Sequence, residues 1–316
     1  MYRICAILFT LACAPFAHAD QDIADQYPGS PLYQKPVEVI PHVWSAIGAT
    51  APPTYENAGH NNNLSFVITD EGVVVVNGGA AYVLAKALHA EIKAITDQPV
   101  VLVVNENGQG HAMLGNTYWA EQGVKILAHE DAAAEFEERG YDILDRMKGY
   151  NKDLAAGTEV TLPTETFSDR YDVTLGGVKI EVLHLGPAHS PGDISVWLPE
   201  QRLVIAGDIA FHERMLPIFD DTMTADWIET WDEAFEPLEA LYVIPGHGHP
   251  TNMAQVRRYT RDYLIYLREQ VGAHLDAGGD LAGAYYVDQT PYKHLDTYEE
   301  LATRNAGRVY EQMEFE

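Results

Sequence analysis

The chain reads as a layered α/β protein, on three observations. Short apolar strands, among them the uninterrupted run Val100 to Val104, alternate with segments of helical periodicity. These gather into two β-rich halves, each closed by helices. Polar loops carrying glycine and proline follow several of the apolar strands, which is where ligand sites collect in α/β layers.

Taken in order, residues 1–19 predict a signal peptide. Arg3 supplies the positive start, Ile4 to Pro15 the apolar stretch, and Ala17-His18-Ala19 a small-x-small cleavage site. A periplasmic or secreted bacterial protein beginning at Asp20 is the expectation. Residues 20–36 are polar, with Pro and Gly, and predict a loose N-terminal arm. Val37 to Ile47 predicts a strand broken at Pro41, and Ala51 to Asn63 a loop. Leu64 to Thr69 and Val73 to Val76 predict a hairpin turning at Asp70-Glu71-Gly72. Leu84, Leu88, Ile92 and Ile95 set a helical period over Ala80 to Thr96. After the Val100 strand come a polar loop, a short helix at Asn116 to Gln122, a strand at Lys125 to Ala128 and a helix over Asp131 to Lys152. Thr158 to Leu185 predicts strands with a turn at Gly176-Gly177. Ile194 to Leu198 and Leu203 to Ala206 predict a strand pair. Helix follows at Ala225 to Leu241, a strand at Tyr242 to Ile244 and one long helix at Met253 to Ala277.

A chain of 316 residues with 47% hydrophobic and 21% charged residues can bury a sizeable core. Beyond the N-terminus no apolar run reaches the roughly 18 residues that a membrane helix needs, so no membrane insertion is expected after signal cleavage. The formal net charge of −27 argues against nucleic acid and anionic membrane surfaces as partners; a small-molecule substrate is the partner expected. Both cysteines, Cys5 and Cys13, lie in the signal segment. Any metal would therefore be held by His, Asp, Glu or an amide oxygen.

Four loops carry candidates for that task. They are Asn105 to His111, Gly186 to Asp193, Ala206-Gly207-Asp208, and Pro245 to Pro250 with His247 and His249. Three imidazoles and a carboxylate suit zinc or iron. In this order, the hairpin ending at Asn77-Gly78-Gly79 and the loops at His111, His189, Asp208 and His247 resemble the metallo-β-lactamase superfamily over roughly residues 37–260. The resemblance implies a four-layer αββα sandwich, with residues 261–316 as a C-terminal helical extension. It also implies a metal-dependent hydrolase in which activated water attacks an ester, amide, lactone or similar bond. Asp208 would hold the metal and orient the water.

One part of the family pattern is altered. Members usually show His-x-His-x-Asp-His in the first loop. With Gly115-Asn116 aligned, Asn107 and Gln109 replace the first two His, His111 takes the Asp place and Ala112 the last His. Asn77 stands where the family usually has Asp. A register shifted to put Gln109 and His111 in the first two places is the alternative, and it loses the Gly-Asn match. Amide oxygens bind zinc more weakly than imidazole. The expectation is therefore one ion, zinc or else iron, on His111, Asp208, His247 and His189. Four protein ligands would resemble a closed structural zinc site, so catalysis would need a fifth position or one distant ligand. Asn107, Gln109, His60, His212 and His249 are expected to line the pocket. Two other functions fit the same residues: a non-catalytic binding member of the fold, and a mononuclear iron enzyme acting on sulfur compounds. Asn107, in the place of the first His, counts against the second.

Overall fold

The computed structural model describes residues 27–316; the signal-peptide reading of residues 1–19 lies outside the described residues. The first sheet has seven strands arranged in chain order: β1 (Val37–Ile40), β2 (Val43–Ala46), β3 (Leu64–Thr69), β4 (Gly72–Val76), β5 (Val100–Val104), β6 (Lys125–His129) and β7 (Glu165–Phe167). Its first four strands run antiparallel, and from β4 onward neighbours are parallel. The second sheet contains β8 (Arg170–Leu175), β9 (Val178–Leu183), β10 (Ser195–Leu198), β11 (Leu203–Phe211) and β12 (Tyr242–His247), in the order β12-β11-β10-β9-β8. Here β11 and β12 are parallel.

Side-chain alternation explains why the sheets stack. Val74, Val76, Leu102 and Val104 point between the sheets and meet Val182, Val196, Ile205 and Ile244. The intervening Val73, Val75 and Val103 point outward. There they pack on Leu84, Leu88 and Ile92 of α1 (Tyr82–Ile95) and on Trp119 of α3 (Asn116–Glu121), which follows the short α2 (Gly110–Met113). Each such valine or leucine contributes about 1.5–3 kcal/mol by leaving water. The long α4 (Glu130–Asn151) covers the loops at one end of this sheet. On the far face of the second sheet, Val204 and Ala206 meet the remaining helices: α5 (Thr224–Thr230), α6 (Met253–Tyr259), α7 (Arg261–Asp276), α8 (Leu281–Ala284) and α9 (Tyr298–Met313). The result is the four-layer αββα sandwich.

Three local readings change. The expected single helix at 253–277 breaks at Thr260, whose buried hydroxyl accepts from the Phe211 N–H at 2.9 Å and pulls the backbone to φ −113°. The strand expected at 203–206 runs on to Phe211, so Asp208 sits in a strand and not in a loop. Residues 27–36, expected within a loose arm, are laid down instead: Leu32 is fully buried, and the Tyr33 N–H donates to His60 Nδ1 at 2.8 Å. Residues 261–316 share one core with the second sheet, through Tyr263, Leu267, Ala306 and Val309.

Candidate metal centre

The parallel strands of both sheets end on the same edge of the sandwich. Asn77 follows β4, Glu106 and Asn107 follow β5, and His247 ends β12. Asp208 reaches the same place from within β11, where Gly207 adopts φ +64° and the pairing with β12 slips register. A side chain at Gly207 would meet Glu106 Oε2 at 2.5 Å. One at Gly246 would run into Asp208 Oδ1 and the backbone of Gly207. Glycine at both positions is thus what lets the strand ends close on one carboxylate.

Asp208 is the hub. His247 Nε2 lies 3.2 Å from its Oδ1, His111 Nε2 3.5 Å from its Oδ2, and His189 Nδ1 3.5 Å from the same oxygen. Asn107 Nδ2 donates to Oδ2 at 3.2 Å. The Asn61–Asn63 segment fixes His247 from behind. His247 Nδ1 donates to the Asn61 carbonyl, which leaves Nε2 toward Asp208. Asn63 Nδ2 donates to the carbonyls of Pro245 and Gly248 at 2.8 and 2.7 Å. Phe211 stacks on the His247 ring with centroids 5.0 Å apart.

Burial and charge set the protonation states. His247 is pushed down to about 4 by burial, against the pull of Asp208, and so stays neutral as a ligand must. Burial opposes ionisation of Asp208, but His111 and His247 outweigh it and hold its carboxyl well below the usual range. Burial likewise disfavours the charged form of His111. Asp208 and Glu106 overcome this and raise it above the ordinary histidine value. Glu106 is raised by its own burial and by Asp208, with His111 opposing. His111 Nε2 and Glu106 Oε1, 2.9 Å apart, share a proton that ligation through this nitrogen would displace.

The residues fit a divalent ion. Donor atoms of His111, Asp208 and His247 all lie within 4.8 Å of one another. Asp208 Oδ1 is buried and accepts no hydrogen bond, although an imidazole nitrogen stands 3.2 Å away. That spacing matches the edge of about 3.3 Å between ligands bound to one zinc at about 2.0 Å.

Of the expected ligands, His111, Asp208 and His247 come together. His189 lies beside them but outside the compact set. Its Nδ1 accepts from the Gln109 amide at 2.9 Å, and its ring is wedged among Phe219, Phe211 and Trp227. Gln109 does line the cleft. Asn107 lies beneath it, fully buried against Asp208. Three expected pocket residues are elsewhere. His60 is buried under the N-terminal segment, pinning Tyr33. His212 Nδ1 bonds to the His249 carbonyl, and His249 pairs with Glu213 at the surface. The two-residue step from His247 to His249 turns at Gly248 (φ +89°), away from the cleft. Glu106, Asn61, Asn63 and Arg214 were missed. Glu106 had one visible signal, a lone acid within a polar loop directly after a buried strand.

Comparison with known proteins bears on the fold and the family. The family model described as the metallo-beta-lactamase superfamily matches residues 113–247. A metallo-beta-lactamase type 2 from Bacteroides fragilis is 30% identical over 193 residues, covering 58% of this chain and 70% of the relative. A linear primary-alkylsulfatase from a Pseudomonas species is 25% identical over 247 residues, 66% of this chain but 46% of that protein. Among solved structures, a metallo-beta-lactamase from Pontibacter korlensis superposes with TM-score 0.60 at 21% identity, covering 73% of this chain and 98% of the other. An inverting sec-alkylsulfatase from Pseudomonas gives TM-score 0.68 at 18% identity, over 89% of this chain and 52% of the other. The chain thus spans about half the length of these alkylsulfatases. Fold, strand-end site and relatives agree: the chain belongs to the metallo-beta-lactamase superfamily.

Proposed function

We propose that the chain is a hydrolase of an ester-type bond in a small molecule, dependent on one divalent ion held by His111, Asp208 and His247. The observation that carries this is the buried, hydrogen-bond-free Oδ1 of Asp208 facing the His247 imidazole. When bound, the ion would supply a Lewis acid and bring the pKa of a coordinated water down to about 7. Asn107 holds Asp208 by Oδ2 and so keeps Oδ1 turned toward His247. Phe211 and Phe219 limit water on the protein side of the site. The alkylsulfatase among the relatives is the support for an ester bond. Zinc as the ion and export by residues 1–19 belong to the same proposal. Two imidazoles and one carboxylate also make the ligand set of mononuclear iron centres, so iron is counted in the test.

The test is elemental analysis of the purified protein beside His247→Ala, followed by a panel of chromogenic carboxylic, phosphate and sulfate esters. About one ion per chain, absent in the variant, with turnover of at least one ester that a chelator stops, supports the reading. A folded protein that takes up no metal when supplied with zinc or iron overturns it.

A further inference from the structure

The cleft above the three ligands has a volume of about 380 Å³. Its walls have an unusual charge balance for this chain. Acidic residues outnumber Lys and Arg by 47 to 20 overall. Yet the cleft is lined by three arginines, Arg146, Arg214 and Arg304, against two carboxylates, Asp208 and Glu300. The arginines arrive from separate parts of the fold: α4, the segment after β11, and α9. Among the described residues, the arginines outside the cleft, Arg258 excepted, pair with a carboxylate, as in Arg139 with Asp221, Arg261 with Asp232 and Arg308 with Asp220. Arg146 and Arg304 are exposed and have no ion-pair partner among the described residues. Arg214 is buried, with 6% of its surface exposed, and its Nε has no hydrogen-bond partner. Burial lowers its guanidinium to about 10, against the pull of Asp208, Asp296 and Glu300, so it stays charged. Its Nη1 lies 3.4 Å from His247 Nδ1, so the guanidinium stands directly behind a ligand.

An arginine in a half-enclosed cleft is a strong partner for a planar or tetrahedral oxyanion, because its fork donates two parallel hydrogen bonds and is weakly hydrated. Low-dielectric walls raise the field that such a cluster exerts on an approaching anion. Beside the polar Asn61, Gln109, Tyr150 and Thr297, the lining has an apolar share in Pro52, Pro53, Ile143, Pro217, Phe219 and Leu301. We propose that this cleft selects amphiphilic anions, with Arg146, Arg214 and Arg304 holding the oxyanion and the prolines, Phe219 and Leu301 the hydrocarbon. Calling that ligand the substrate rests on the hydrolase reading above; the binding claim does not.

The experiment is calorimetric titration with octane-1-sulfonate, which offers no ester to cleave, and with its neutral isostere octane-1-sulfonamide. Octanoate is the third probe. Each is run on the protein as purified and again after chelation. The sulfonate should bind at least about tenfold more tightly than the sulfonamide, the scale of one charge-assisted contact, and more weakly as salt rises. Octanoate separates a carboxylate from a sulfo group as the preferred oxyanion. Arg146→Ala/Arg304→Ala should lose that preference and keep its sulfonamide affinity, while Arg146→Lys/Arg304→Lys should retain part of it. Both side chains are exposed, and a circular dichroism melt verifies folding. Equal affinity for charged and neutral probes in the parent protein, or an unchanged preference in the alanine variant, overturns the proposal. A protein that turns over no ester yet prefers the anions keeps this inference and loses the hydrolase reading. One that hydrolyses neutral esters and ignores the anions does the reverse.

Discussion

The loop at residues 105–112 and the strand ends at Asp208 and His247 meet at the same carboxylate, but they contribute different chemistry. The strand ends keep hard donors whose geometry is set by glycine contacts and by the Asn61–Asn63 segment. In the loop, amides stand at the two places that the family pattern gives to imidazoles in the register with Gly115-Asn116 aligned. Asn107 now donates a hydrogen bond to Asp208, and Gln109 donates one to His189. An amide in a ligand's place can solvate a buried anion and occupy a spare imidazole, two tasks that otherwise fall to a cation. The amides thus satisfy Asp208 Oδ2 and His189 Nδ1, while Asp208 Oδ1 and His189 Nε2 stay without a hydrogen bond.

The largest effect is expected from the strand-end half. His247→Ala should reduce bound metal from about one ion per chain to near zero by elemental analysis. Ester turnover should fall by about 10²–10³-fold, as for loss of a principal electrostatic group. Next, Asn107→His/Gln109→His restores imidazoles to the loop and should raise the metal content to about two. A stoichiometry still at one would mean that the loop backbone, and not its side chains, has changed. Asn63→Ala removes two hydrogen bonds from the His247 turn without touching a donor atom. Competition against a chelator should show metal affinity lowered by about 10–100-fold. The smallest effect belongs to His249. Its pair with Glu213 is about half exposed, so His249→Ala should cost well under about 1 kcal/mol in urea unfolding near neutral pH. The pH dependence has two sides. His249 is raised by Glu213, so its contribution is full below the ordinary histidine value and fades as pH rises through the raised one. Glu213 is lowered from 4.5 to about 2, because His249 outweighs its burial, so its share is present above 4.5 and is lost as pH falls toward about 2.

Periodicity made most of the layering legible, because Val73 to Val76 and Val100 to Val104 can be satisfied only between two packed faces. Spacing and motif order pointed to His111, Asp208 and His247. What stayed hidden depended on turns and distant partners. His247 and His249 differ by two residues, and only the backbone at Gly248 sends one inward and the other out. Thr260 looks like any helix residue until Phe211 is placed against it. Arg214 carries no local pattern, since it matters only through His247 and carboxylates on other elements, whereas Glu106 showed itself as a lone acid but its pairing with His111 and Asp208 did not.

Asn63 joins two carbonyls that lie 182 and 185 residues further along the chain, and Asn107 reaches 101 residues forward to Asp208. Contacts of such separation form late, because the chain between them must first be closed. During synthesis, therefore, the first sheet can be complete while His111 faces no Asp208 and no His247. A cation cannot template that first half. It can only be captured by a chain whose residues up to Gly248 are already in place, so metal loading would report that the second sheet has met the first.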